Sequence, residues 1–339
     1  MNYINEINHH LIPKEPSNPL VLDLFAGCGG LALGFEAQGF ETLGFEMNSD
    51  CCATYKNNLK GDCINIKLIP DYEFPKANIV IGGPPCQPFS VGGSQKGIED
   101  SRDGFPVFLS AIKQAQPDIW MFENVRGLMY KNKWYLDEII QKLEGMNYIV
   151  EYQLLNAVNY HVPQNRERII VVGHRGNFKF PQKREVKITA GEAVSDLINE
   201  VPENAKYLTA SMDAYVKKYE IASKCINPRD LHLNRPSRTI TCRNLAGATG
   251  DMHRILLPDG RRRRMAIREA ARIQSFPDWY KFVGGDTSVF NQIGNAVAPM
   301  FAFHLAKSVR EYLNSTERFT NNQISERRNP SQLELMIND

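Results

Sequence analysis

Over the first half of the chain, short apolar runs alternate with amphipathic stretches. LVLDLF, ETLGFE, NIVIGG, DIWMFENV, YIVEYQLL and RIIVVGH are compact, apolar and bounded by glycine, proline or polar turns, and each predicts a strand. GGLALGFEAQ, CCATYKNNL, FPVFLSAIKQAQ and WYLDEIIQKLEG repeat their apolar positions at helical spacing and predict helices between those strands. Alternation of this kind predicts an α/β fold, a mostly parallel sheet covered by helices. After Phe180 the pattern breaks into irregular, polar and basic sequence. Regularity returns with MAIREAARIQSF and QIGNAVAPMFAFHLAKSVREYL, the latter a closing helix expected to pack back on the first domain. The predicted division is a flexible N-terminal arm over 1–18, a first domain over 19–185, a smaller inserted domain over 186–285, a closing segment over 286–313 and a polar tail over 314–339.

Composition narrows the class. With 339 residues, 42% apolar and 23% charged, the chain has material for a sizeable core. It has no apolar run suited to a signal sequence or a membrane span, which predicts a cytoplasmic protein with no membrane partner. The seven cysteines (Cys28, Cys51, Cys52, Cys63, Cys86, Cys225 and Cys242) are odd in number and form no CxxC pair. That argues against a disulfide framework and against a metal site, and leaves room for a reactive thiol. The net charge is only +2, yet residues 224–272 hold twelve Lys or Arg against four Asp or Glu, and no Phe, Tyr or Trp. Without aromatic platforms for single strands, so basic a stretch favours phosphate and groove contacts to a duplex.

Three motifs carry candidate chemistry. LVLDLF runs into AGCGGLALGF, so Gly27, Gly29 and Ala32 satisfy G-x-G-x-x-G/A between a strand and a helix, and Glu46 ends the next strand where an acid can hold ribose hydroxyls. Either a nicotinamide dinucleotide or S-adenosylmethionine fits such a turn, and Asp62 is either placed to hold an adenine amino group or a surface aspartate. The second motif, GGPPCQPFS, follows the strand NIVI and sets Cys86 in a rigid proline-glycine turn at the carboxyl edge of the sheet, a place for a nucleophile rather than a structural thiol. The third comprises Glu123-Asn124-Val125, ending DIWMF, and the run from Pro163 to Arg168, which presents Arg166 and Arg168 at alternate positions.

Taken in order, DLFAGCGG, Glu46, Asp62, GGPPCQPFS, ENV, QNRER, REAARIQSFPD and QIGNAVAP span Asp23 to Pro299, and in this series the chain resembles the cytosine-C5 DNA methyltransferases of prokaryotic type II restriction-modification systems. The resemblance implies a doubly wound, Rossmann-like S-adenosylmethionine-dependent methyltransferase domain with a smaller target-recognition domain inserted near its end. It implies S-adenosylmethionine as methyl donor, no metal, and cytosine in duplex DNA as substrate. Cys86 would add to C6 of the base and make C5 nucleophilic. Glu123 would donate a proton to N3, while Arg168 and Arg166 would stabilise O2 and orient Glu123. Phe25, Gly27, Gly29, Glu46, Asp62, Pro84 and Asn295 form the implied cofactor site, with Met47 standing where many relatives carry an aromatic residue.

The chemistry requires the base to leave the stack, because C5 and C6 are reached from the ring faces. Gln87 and Ser90, in the loop around and after the cysteine, are then expected near DNA. Arg238, Thr239, Thr241, Arg243 and Asn244 of RPSRTITCRN are expected to touch base edges or phosphates. Arg261 to Arg264 are expected at phosphates or on a solvated hairpin, and Arg268 in structural support of the recognition domain. The alternative is an RNA cytosine-5 methyltransferase, whose cysteine-phenylalanine-threonine signature this chain lacks. A binder that has lost catalysis fits poorly with Cys86, Glu123 and Arg168 all present, and an amino-methylating enzyme or a nicotinamide oxidoreductase leaves the cysteine turn unexplained. The compact length suits a monomeric bacterial or phage enzyme whose genetic partner is a cognate restriction endonuclease.

Overall fold

A computed structural model describes residues 2–16, 19–85, 103–198, 200, 205–222, 229–246, 251–315 and 319–327. The strands in chain order are β1 (Leu20–Leu24), β2 (Glu41–Glu46), β3 (Asp62–Asn65), β4 (Ile79–Gly82), β5 (Ile119–Val125), β6 (Ile149–Asn156), the short β7 (Gln164–Asn165), β8 (Glu167–His174), the short β9 (Ser237–Arg238), β10 (Arg254–Leu256) and β11 (Arg262–Arg264). Seven of these form one sheet in the order β3-β2-β1-β4-β5-β8-β6. The five strands from β3 to β5 are parallel, and β8 runs antiparallel to both its neighbours. The sheet is mostly parallel, as the alternation predicts, and doubly wound, as the family resemblance implies, with the order reversing between β1 and β4, where such folds place ligands.

Alternate strand residues feed two cores. Val21, Ile79, Ile81, Met121 and Val172 face one cluster, while Leu22, Leu24, Val80, Trp120, Phe122 and Val171 face the other. The first is covered by α1 (Tyr3–His10), α2 (Gly30–Ala37) and α3 (Ser49–Asn58), the second by α4 (Phe105–Ala115) and α5 (Lys133–Glu144). Large side chains have to be accommodated in this packing. A Cβ on Gly173 of β8 would fall 2.0 Å from the indole of Trp120, so the β5–β8 pair closes only with glycine there.

The second half holds α6 (Ala190–Ile198), α7 (Ala210–Ala222), α8 (Cys242–Ala246), α9 (Ile267–Ile273), α10 (Asp286–Asn295), α11 (Pro299–Asn314) and α12 (Asn321–Arg327). It does not carry a separate core. Ile188, Val194, Ile198, Ile240, Ile255 and Met265 belong to the same hydrophobic cluster as α2 and one face of the sheet. Just before the boundary predicted at residue 285, Lys281 N and Val283 N donate to Asn58 Oδ1 and Thr54 Oγ1 of α3, at 2.7 and 2.9 Å.

Three sequence expectations are corrected. The arm expected to be flexible forms α1, which buries Tyr3, Ile7 and Leu11. Tyr3 Oη donates to Arg272 O at 3.1 Å, and Asn8 Oδ1 accepts from Asp278 N at 2.7 Å. Apolar residues at helical spacing in YINEINHHL outweigh the polar look of the segment. Within the polar tail, α12 likewise forms and buries Ile324. The closing helix is two helices, since Ala296 and Ala298 are extended and Pro299 opens α11, where its missing N–H costs nothing. Among the described residues no helix is long and apolar enough to cross a membrane.

Candidate active site

Register alone assembles most of the site. Leu24 pairs with both Phe45 and Gly82, and Gly82 pairs with Phe122. The glycine turn, Glu46, the Gly83-Pro84 turn and Glu123 therefore emerge side by side from one edge of the sheet. Because β8 is antiparallel, it brings its first residues to that same edge, and Arg168 pairs with Val125. A parallel strand in this place would have carried Arg168 to the far side.

The glycine turn is held by the acid. Glu46 Oε2 accepts from Gly27 N at 3.0 Å and Oε1 accepts from Asn48 N at 2.7 Å. Phe25, Gly27 and Gly29 all have positive φ, the last as N-cap of α2. A Cβ built on Gly27 meets nothing within 4 Å, whereas one on Gly29 falls 2.6 Å from Leu59. One glycine is thus required by packing and the other opens onto free space beside a carboxylate, with Met47 68% exposed next to it. An open backbone cradle, an acid and an apolar surface are the features an adenosine-bearing cofactor needs, so the residues fit that group. The segment after α10 closes the cradle from the other side. Cys28 Sγ donates to Gln292 O at 3.6 Å, and a Cβ on Gly30 would fall 2.3 Å from Val297 O. Asn295 ends α10 at this place with its side chain exposed.

Asp62 does not join this group. It opens β3 opposite Leu43, whereas the residue opposite Glu46 is Asn65. Three strand residues separate the two, roughly 10 Å at about 3.3 Å per residue. Asp62 is instead an exposed partner of Lys56 at 2.8 Å, and that ammonium lowers its carboxyl pKa. Asn65, which the sequence reading missed, sits at the functional edge and donates to Glu46 O at 2.9 Å. The sequence reading predicted no strand over Asp62–Asn65, so nothing in it pointed to Asn65.

On the catalytic side, Arg168 Nε contacts Glu123 Oε1 at 2.7 Å, with both side chains largely buried. A Cβ on Gly83 would lie 4.0 Å from Glu123 Oε2, so the Gly83 turn passes close over the carboxylate. The buried Asn124 amide donates to Pro84 O at 3.0 Å and ties the end of β5 to the turn leading to the cysteine. Cys86, Gln87 and Ser90 lie outside the described residues.

Arg166 takes a different part from the one expected. Its guanidinium donates to Ile240 O at 2.9 Å, Ala296 O at 3.1 Å and Gly294 O at 3.4 Å, and not to Glu123. Burial, with help from the charge on Arg168, pulls its pKa down to about 9, which still leaves it charged at neutral pH. The alternate spacing of Arg166 and Arg168 suggested a shared face, but the chain leaves the sheet between β7 and β8 and separates their partners.

The basic stretch is largely neutralised from within. Arg263 forms a fully buried pair with Glu269 at 2.6 Å; Arg254 pairs with Asp230 and Glu220; Arg262 pairs with Asp230 and Asp213. The row Arg261 to Arg264 is therefore no continuous phosphate-facing surface, since alternate residues of β11 point inward. Arg268 supports structure as expected, donating to Pro277 O and Tyr280 O, both at 3.0 Å. In the TITCR segment, Asn244 is buried, with its amide spent on Thr241 N and Thr239 O at 2.8 and 3.0 Å, so it braces the turn instead of presenting its amide at the surface. Thr239 Oγ1 donates to Asn165 O at 2.5 Å, and Thr241 Oγ1 accepts from Asn244 N at 3.3 Å. Arg238 donates to Asp251 O at 2.7 Å. Arg243, 79% exposed and 3.8 Å from Asp251, is the residue of this group presented most openly to solvent.

The family model for C-5 cytosine-specific DNA methylases matches residues 20–311. The Type II methyltransferase M.AplI of Arthrospira platensis is 55% identical over 297 residues, covering 87% of this chain and 86% of that protein. The Type II methyltransferase M.NgoFVII of Neisseria gonorrhoeae is 34% identical over 338 residues, with 87% of each chain covered. Among solved structures, the S. pombe Dnmt2 methyltransferase superposes with a TM-score of 0.68 at 15% identity, over 88% of this chain and 100% of that one, a likeness of fold.

Proposed function

The chain belongs to the C-5 cytosine-specific DNA methylase family and is a DNA (cytosine-5) methyltransferase, and from that premise we propose how its residues divide the work. The observation that carries the assignment of roles is the meeting of the Glu123–Arg168 pair, the Asn124–Pro84 bond and the Glu46-braced glycine turn at one sheet edge.

S-adenosylmethionine supplies an electrophilic methyl sulfonium when bound. Phe25, Gly27, Gly29, Glu46, Pro84 and Asn295 would hold it, with Asn65 in the place first given to Asp62. The substrate cytosine is flipped out of the duplex so that both ring faces are free. The Cys86 thiolate adds to C6, and Glu123 gives its proton to N3 as the ring electrons move toward C5. Arg168 fixes the Glu123 carboxyl by its 2.7 Å Nε contact, its Nη1 is held by Glu167 O at 2.8 Å, and Nη2 is left to stabilise O2, where negative charge gathers. C5 would take the methyl group as the sulfonium S–CH3 bond breaks and S-adenosylhomocysteine leaves; a base then removes the C5 proton, N3 returns its proton to Glu123, and the C6–sulfur bond breaks to release Cys86. Residues 186–285 supply target recognition, with Arg243 reaching the DNA and Gln87 and Ser90 beside the flipped base. The enzyme works as a cytoplasmic monomer and protects DNA against a companion restriction endonuclease.

The test is transfer of labelled methyl to unmodified plasmid DNA and to total RNA in parallel, with bisulfite sequencing of the DNA. Label in DNA at cytosines of one recurring context, abolished by Cys86→Ser with cofactor binding retained, is the expected result. Label in RNA alone, or full activity of Cys86→Ser, overturns the assignment.

A further inference from the structure

Two segments far apart in sequence are joined by a buried polar network. Arg166 is 3% exposed, and no carboxylate of a described residue forms an ion pair with it. Its Nη1 donates to Ile240 O, and its Nη2 to Ala296 O and Gly294 O. A second path runs beside the first. Ile240 N donates to Gln164 Oε1 at 2.9 Å, Gln164 Nε2 to Gln274 Oε1 at 2.7 Å, and Gln274 Nε2 to Ala296 O at 2.5 Å. Both main-chain groups of Ile240, and the Ala296 carbonyl twice over, are thereby captured. Gln164 and Gln274 are themselves fully buried.

A buried guanidinium is tolerated only while its donors are satisfied; displacing either set of carbonyls leaves an unpaired charge in a dry interior. Neither segment can therefore shift without the other. Ile240 lies between Thr239 and Thr241 in the segment leading to Arg243. Gly294 and Ala296 flank Asn295 beside the glycine turn. Arg166 itself stands two residues before Arg168.

We infer that Arg166, together with the Gln164–Gln274 bridge, is a positioning device that couples cofactor binding to DNA recognition: seating the cofactor against residues 294–296 sets the recognition segment at Ile240, and the reverse. The inference rests on the functional reading above. Linkage makes the coupling reciprocal, so each ligand tightens the other by one common factor.

The experiment titrates S-adenosylhomocysteine into the full chain with and without a duplex carrying the bisulfite-defined site. It compares wild type with Arg166→Met, Arg166→Lys and Gln274→Met, after thermal unfolding has shown which variants fold. In wild type the duplex tightens cofactor binding by about tenfold or more. In Arg166→Met and Gln274→Met the factor drops below about threefold while binding of cofactor alone changes less, and Arg166→Lys lies between. A purely structural role would weaken both ligands and leave their ratio intact. Wild-type coupling absent, or retained in a folded Arg166→Met, overturns the inference; should Arg166→Met not fold, Gln274→Met decides in the same way. Methylation of the same duplex by wild type reports separately on the functional reading.

Discussion

At the scale of single residues, the site is built from groups whose partners assign them. Arg168 and Arg166 are two residues apart and chemically identical, yet one grips Glu123 and the other grips main-chain carbonyls. Arg168→Ala removes a preorganised cation from the place where charge develops, and the expected loss in kcat is on the order of 10²- to 10³-fold. Single-turnover methylation measures it, and a change confined to DNA affinity would contradict the role. The two acids of the cofactor motif separate just as cleanly. Glu46→Gln weakens charge-assisted hydrogen bonds from Gly27 and Asn48 that shape the turn, and lowers cofactor affinity by roughly tenfold or more. Asp62→Asn, at the other end of β3, leaves that affinity within about threefold, because its ion pair with Lys56 is exposed. Equilibrium dialysis of the two variants tests both statements, and equal losses would return Asp62 to the site.

At the scale of elements, the helices at the chain's ends hold the halves together. Helix α1 reaches Arg272 and Asp278, and α11 lies beside it with His304 facing Arg184, His161, Lys307 and His10. Burial, with the Arg184 guanidinium adding to it, lowers the His304 pKa from 6.5 to about 4; burial next to Arg238 and Arg254 lowers that of His253 to about 3. A depressed histidine contributes stability above its unfolded pKa and loses it on acidification, because the unfolded chain binds the proton first. Unfolding free energy is therefore expected to fall below about pH 6.5 and to go on falling toward pH 4, by a few kcal/mol from the two together. Denaturant melts at pH 7 and pH 5 read this, and a smaller drop in the double variant His253→Gln, His304→Gln assigns it. A pH-independent stability would rule it out. The polar appearance of residues 2–11 hid α1 because a short amphipathic helix contributes few apolar positions, and only their burial shows what they do.

At the scale of the whole molecule, charge is spent more on assembly than on display. Twelve basic residues in 224–272 suggested a broad DNA-facing surface. In the fold, Arg254, Arg263 and Arg272 are buried in ion pairs and Arg262 is held by two aspartates. Arg243→Ala is expected to reduce the slope of log K against log salt for DNA binding by about 1. Arg262→Ala leaves the slope unchanged and lowers the melting temperature instead; identical salt slopes for Arg243→Ala and wild type would remove Arg243 from the interface. The sequence by itself determined the strand–helix alternation and the glycine turn with Glu46, and its motif series marked Glu123 and Arg168 as candidates, because these follow from periodicity and from residues adjacent along one strand or turn. Only the tertiary structure decided that Asn65 and not Asp62 stands at the edge, that Asn244 is a brace, and that Arg166 joins two distant segments. Those outcomes depend on strand register, on the antiparallel insertion of β8 and on which carbonyls meet across more than seventy residues of chain, and no local pattern encodes such meetings.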